Sequence, residues 1–160
     1  MSLKQEFELL RRVPYFADIE PAKLKLLAFM SERVAFDAGK PLFRQGDPGD
    51  AAYLLIDGEA EVIAETPAGP VVLATLGANE FTGEMAILGN VPRTATVRAK
   101  SRLVALRISK EPFMRMVREF PSMAIAMMQE LAERLASTNK QLSTALAEVK
   151  QLREDTHIAA

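Results

Sequence analysis

The chain contains no cysteine. That single absence excludes disulfides, thiolate zinc sites, iron–sulfur clusters and cysteine nucleophiles. Histidine is almost as scarce, since the only one, His157, stands near the C-terminal end, in what reads as a frayed tail. A Ser/His/Asp triad, a zinc enzyme or a histidine-ligated haem has almost no material to work with. Charge of one sign is lacking too: 20 Lys and Arg against 21 Asp and Glu leave a net charge of -1. Without a broad basic face, direct nucleic-acid binding by this chain is not expected. Apolar runs are short, none approaching the roughly 18 residues of a membrane-spanning helix, and no cleavable signal pattern opens the sequence. No paired carboxylates or activated nucleophile suggest chemistry. The expectation is a soluble cytoplasmic protein that is not an enzyme, carries no metal and makes no membrane contact.

What is present divides into helix, strands and helix. With 160 residues, 49% of them hydrophobic, the chain can bury a core. Residues 3–31 read as helical, with one apolar cluster at Phe7, Leu9 and Leu10 and a second at Leu24, Leu26, Leu27 and Met30, punctuated by Pro14 and Pro21. From Arg33 to Ile108 the period changes. Short apolar runs (Tyr53 to Ile56, Val62 to Ala64, Val71 to Leu73) lie between turns at Gly46, Gly49, Gly58, Gly69 and Gly77. That spacing predicts a β sandwich or barrel. Ser109 reads as the N-cap of a short helix carrying Phe113, Met116 and Val117.

After Pro121 the pattern is helical to about Glu154. Met128, Leu131, Leu135, Thr138, Leu142, Ala145, Val149 and Leu152 recur at alternating spacings of three and four, the heptad seam of a helix that pairs with another helix. A helix of roughly 30 residues spans about 45 Å, longer than a domain this small can cover. Packing on the chain's own β domain accounts for Met123 to Leu135 but not for Leu142 to Leu152. The second half therefore points to another copy, a homodimer through residues 121–155. Thr138 interrupts the seam, either as a tolerated polar residue or as a hydroxyl presented at the dimer axis.

The most specific stretch is Phe81-Thr82-Gly83-Glu84-Met85-Ala86-Ile87-Leu88, followed by Val91-Pro92-Arg93-Thr94-Ala95-Thr96-Val97. A glycine-led helix start is followed by one arginine in an apolar, strand-like run. Backbone N–H groups at a helix start and one guanidinium form a compact site for a single phosphate. Taken singly, Arg93 reads as a surface arginine on an edge strand and Glu84 as an ordinary first-turn acid. Their joint spacing, together with the glycines, favours a site. Lys100 and Arg102 read as solvated strand-end charges.

Phe36, Gly39, Leu42-Phe43, Gly46-Asp47, Gly49-Asp50, Tyr53 and Gly58, with Gly83-Glu84 and Pro92-Arg93-Thr94-Ala95, follow one family pattern. Over residues 14–145 the chain resembles a cyclic nucleotide-binding domain, in the branch shared with bacterial catabolite-activator-type regulators. The resemblance implies an α+β fold: an antiparallel β jelly roll (a double-stranded β-helix) with N-terminal helices and a long C-terminal dimerisation helix. It places the β-roll domain over 1–120 and the coiled-coil helix over 121–155. It also implies that Arg93 pairs with a cyclic phosphate, that Glu84 accepts the ribose 2′-hydroxyl, and that amides from Gly83 through Met85 to Ala86 donate to phosphate oxygens. Thr94 would add a hydroxyl to the phosphate or, in relatives preferring guanine, to the base. Val62 and Leu73 would line the base. Thr138 and Asn139 would read the adenine edge, Asn139 from the second subunit. The implied ligand is cyclic AMP, with cyclic GMP left open by Thr94. A ligand-free dimerisation module of the same fold remains the alternative from another class. The regulators resembled carry a helix-turn-helix domain after the long helix, and no such segment is found here. A truncated sensor and a stand-alone module are both open.

Overall fold

The computed structural model describes residues 3–159, with side chains for 3–157. Helix α1 (Leu3–Arg11), a 3₁₀ turn (Pro14–Phe16) and α2 (Pro21–Met30) precede strands β1 (Glu32–Phe36), β2 (Pro41–Phe43), β3 (Ala51–Asp57), β4 (Ala60–Thr66), β5 (Gly69–Leu76) and β6 (Phe81–Thr82). Helix α3 (Glu84–Gly89) interrupts the strands, which resume as β7 (Thr96–Ala99) and β8 (Leu103–Ser109) and give way to α4 (Lys110–Glu119) and α5 (Pro121–Ala159). The strands form two four-stranded antiparallel sheets, ordered β1-β8-β3-β6 and β2-β7-β4-β5. This is the expected jelly-roll arrangement.

Strands β3 and β8 show why the apolar runs are continuous instead of alternating. Their inward residues, among them Tyr53, Leu55, Leu103 and Ala105, build the core between the sheets with Leu42, Ala60, Val97 and Ala99. The intervening residues Ala52, Leu54, Leu106 and Ile108 are also buried, because α2 and α4 cover the opposite face of this sheet. Phe81 fixes that helical layer: its ring meets Tyr15 and Phe16 edge-on and stacks on Phe113 at 5.9 Å. Phe7, Leu10, Leu24 and Leu27 are buried, whereas Leu26 and Met30 of the second expected cluster lie exposed. Helix α2 is apolar on more than the face it buries.

The chain forms two compact units, one up to Met123 and one from Ala124 onward. The second is the remainder of α5, a helix of 39 residues in all. It runs past the expected end near Glu154, and His157 lies in its last turn, not in a frayed tail. Intrahelical side-chain bonds from Thr156 Oγ1 to the Leu152 carbonyl and from Gln151 to Asp155 support that last stretch. Leu135, Leu142, Val149 and Leu152 of the seam are exposed along it. Ser109 does precede α4, but its side chain makes no capping bond to that helix. The hydroxyl is engaged instead by Arg107. Among the described residues, no helix is long and apolar enough to cross a membrane.

Two turn glycines have different consequences. Gly58 joins β3 to β4 at φ +88°, and a Cβ there would lie 2.2 Å from the Arg102 carbonyl oxygen. Gly39 has the same φ with open space around it. Gly39→Ala should cost only left-handed backbone strain, about 1–2 kcal/mol, while Gly58→Ala adds a backbone clash and should cost about 2–4 kcal/mol. Urea unfolding of both variants checks this, and equal losses would contradict it.

Candidate functional site

Arg93 lies just before β7, not within a strand as its apolar neighbours suggest, because its backbone is tied to the β2–β3 loop. Its N–H donates to the Asp47 carbonyl and its own carbonyl accepts from Gly46 N–H, both at 2.8 Å. The loop is itself held by Asp47, whose carboxylate accepts from Arg44 N–H at 3.1 Å. Gln45 N–H donates to Thr96 Oγ1 at 2.9 Å, extending the clamp to the start of β7.

The Arg93 side chain then turns inward and is 3% exposed. Nη1 donates to the Gly83 carbonyl and Nη2 to the Ala51 carbonyl, each at 2.6 Å, with Asp50 Oδ1 3.5 Å from Nη2. The guanidinium lies over the Phe43 ring, 3.9 Å from its centroid. Nε is buried with no hydrogen-bond partner. Burial lowers the guanidinium pKa, an effect opposed by Asp50, Tyr53 and Asp47. An arginine stays protonated regardless. The arrangement is thus a fixed cation whose two terminal nitrogens make three inward bonds, with the buried Nε–H left over.

Gly83 makes the inward turn possible. It adopts φ +91°, and a Cβ there would meet Arg93 Nη1 at 2.9 Å. It occupies the N-cap of α3, as the glycine-led helix start predicted. Glu84 follows, 2% exposed, then Met85 exposed and Ala86 buried. The β2–β3 loop closes tightly on this helix, since a Cβ on Gly49 would lie 2.6 Å from the Ala86 Cβ.

The structure therefore brings Gly83, Glu84, Ala86 and Arg93 together around one corner of the roll. Thr94 is exposed beside Arg93. Val62 packs against the inner core. Leu73 sits on β5, 61% exposed, where the register break opposite Val62 and Ile63 leaves it without a cross-strand partner. Thr138 and Asn139 lie exposed on α5, in the second unit. Among the described residues no cluster of His, Asp and Glu could hold a metal.

Asp50, Phe43 and Arg107 belong to this corner and had no assigned part from sequence. Asp50 Oδ2 is 3.3 Å from Arg107 Nη2, whose Nη1 donates to Ser109 Oγ at 3.1 Å. Burial draws the Arg107 pKa down, but Tyr53 and Asp50 outweigh it and leave it raised. Its signal was visible: one charge inside the apolar strand Leu103–Ser109.

Comparison with known proteins gives this arrangement its context. The profile of the cyclic nucleotide-binding domain matches residues 33–120, and the chain belongs to that family, whose members are regulatory and typically non-catalytic. It is 35% identical over 68% of its length to a cAMP-dependent protein kinase regulatory subunit of Emericella nidulans, spanning 26% of that protein. It is 28% identical over 85% of its length to a CRP-like cAMP-activated global transcriptional regulator of Mycobacterium tuberculosis, spanning 61% of it. The sensor domain of the transcriptional regulator DNR from Pseudomonas aeruginosa superposes with TM-score 0.76 at 27% identity, covering 83% of this chain and 90% of that one. The chain is thus a cyclic nucleotide-binding sensor domain, similar to those of CRP-like regulators.

The contact between Arg93 and Phe43 can be measured. A cation held over an aromatic face and removed from water is worth about 0.5–2 kcal/mol. A double-mutant cycle with Phe43→Leu and Arg93→Met should give a coupling energy in that range for unfolding. Strict additivity would show that the ring merely fills space.

Proposed function

We propose that the domain binds cyclic AMP and passes the binding event to α5, as the sensor part of a transcription regulator working in the cytoplasm. The observation that carries the reading is the orphaned Nε of Arg93. A buried donor without a partner is costly, and a phosphate oxygen is the acceptor this N–H lacks. The inward bonds from Nη1 and Nη2 hold the guanidinium in place beforehand, so little ordering remains to oppose binding. Glu84 would accept a ribose hydroxyl, because a carboxylate aimed at phosphate would repel it. Gly83, Met85 and Ala86 would contribute amides and Thr94 a hydroxyl. Val62 and Leu73 would face the base.

The assignment of Thr138 and Asn139 to the adenine edge, with Asn139 supplied by a second copy, rests on the family resemblance. The exposed seam of α5 supports dimerisation through residues 121–155, since a stripe of Leu135, Leu142, Val149 and Leu152 left in water is unfavourable. A ligand moves an equilibrium only when it binds one conformer better than another. The proposed signal is therefore a change in α5 position or dimer geometry favoured by the nucleotide.

Calorimetric titration with cyclic AMP and cyclic GMP tests the assignment. Tighter binding of cyclic AMP is expected, preference for cyclic GMP would transfer the reading to the Thr94 contact, and no heat with either would leave a ligand-free dimerisation module. Arg93→Ala should weaken binding by about 2–5 kcal/mol, the usual cost of truncating a buried charge pair. That corresponds to roughly thirty-fold to several thousand-fold. Replacing Thr138 with alanine should change the preference between the two nucleotides more than the affinity they share. A uniform loss would argue against its contact with the base.

A further inference from the structure

Asp50 is a junction. One carboxylate oxygen approaches Arg93 at 3.5 Å and the other approaches Arg107 at 3.3 Å. Its backbone carbonyl accepts from Lys110 N–H, the first amide of α4, at 2.9 Å. The pairing of β3 with β8 sets this up, aligning Ala51 with Ser109 and Tyr53 with Arg107. The other carboxylate near Arg93 that acts on it, Asp47, is tied to its own turn through Arg44 N–H. Asp50 is therefore the carboxylate that two guanidinium groups share.

The sharing is unequal. Arg93 already has two 2.6 Å bonds to carbonyl oxygens, and its contact with Asp50 is the longest of its three. Arg107 holds Asp50 at shorter range and is itself fixed by Ser109 Oγ. An anion arriving at Arg93 Nε would share the guanidinium with Asp50, which approaches its Nη2, and must compete with it for the same cation. A carboxylate neutralised by a second arginine opposes that anion less than one neutralised by Arg93 alone.

We propose that Arg107 is a positioning residue for the Arg93 site: it draws the Asp50 carboxylate off Arg93 and so lets Arg93 accept an anionic ligand. The proposal rests on Arg93 being the anion anchor, as argued above. It predicts an unusual pattern, in which the loss caused by removing one charge is repaired by removing the opposite one.

The experiment titrates cyclic AMP into wild type, Arg107→Met, Arg107→Lys and the Asp50→Asn/Arg107→Met double variant at low and high salt. The expected loss for Arg107→Met is roughly two- to five-fold, the size of a part-exposed ion pair. It should shrink at high salt. Arg107→Lys should keep most of the affinity and the double variant should recover it. Unchanged affinity in Arg107→Met, or a loss that Asp50→Asn fails to repair, overturns the proposal. A purely structural arginine would give that second pattern. The ¹⁵N resonance of Arg93 Nε–H, assigned with Arg93→Lys, supplies a readout that needs no ligand. It should move in Arg107→Met and return in the double variant, and an unmoved resonance overturns the proposal even if wild type binds no nucleotide. Absence of heat with wild type refutes the cyclic AMP reading alone.

Discussion

A guanidinium that is 3% exposed has given up nearly all its hydration. A charge so placed costs several kcal/mol unless other partners replace the lost water. The corner around Arg93 is built to supply those partners. The β2–β3 loop grips its backbone from one side, the start of β3 offers the Ala51 carbonyl, and the β6–α3 junction offers the Gly83 carbonyl. The Phe43 ring closes the face of the group. Two segments, one running from Gly46 to Ala51 and the other at Gly83, meet at this one cation. The same requirement explains the left-handed glycine at 83, since a side chain there would displace the group it exists to accommodate.

The remainder of the roll provides the stiffness that this arrangement needs. Strands β3 and β8 are buried on both faces, by the opposing sheet on one and by α2 and α4 on the other. Ala51 and Ser109, which flank the site, are paired residues of those two strands. Such a scaffold holds the guanidinium in one place. The β4–β5 hairpin is different in kind. Val71, Val72 and Leu73 are exposed on a strand at the edge of its sheet. Apolar strands of this sort ordinarily find a covering surface.

The sequence was most readable where geometry leaves few choices. Gly83 followed by Glu84 announced a capped helix because few other residues tolerate that φ, and β3, β4 and β5 were visible as apolar runs between glycine turns. The seam of α5 was visible because its spacing repeats over many turns. Legibility failed where the deciding contact is distant in sequence. Arg93 reads as part of a strand from its neighbours, and only its hydrogen bonds to residues 46 and 47 pull it out of one. Asp50 reads as a turn residue, and nothing local reveals that it faces Arg93, 43 positions away, and Arg107, 57 positions away. Ser109 has the right residue type for a cap, yet Arg107 engages its hydroxyl. The helix end beyond Glu154 lacked a stop signal strong enough to place it.

The contact of Gly49 with Ala86 has a bearing on how this corner can change over generations. A methyl group added at Gly49 meets Ala86 at once, and the nearest atoms include backbone that cannot swing aside. Gly49 is therefore free to grow only if the loop and the helix separate first. Since the same loop holds the Arg93 backbone through Gly46 and Asp47, a change at Gly49 bears on a charge that lies 44 positions further along the chain.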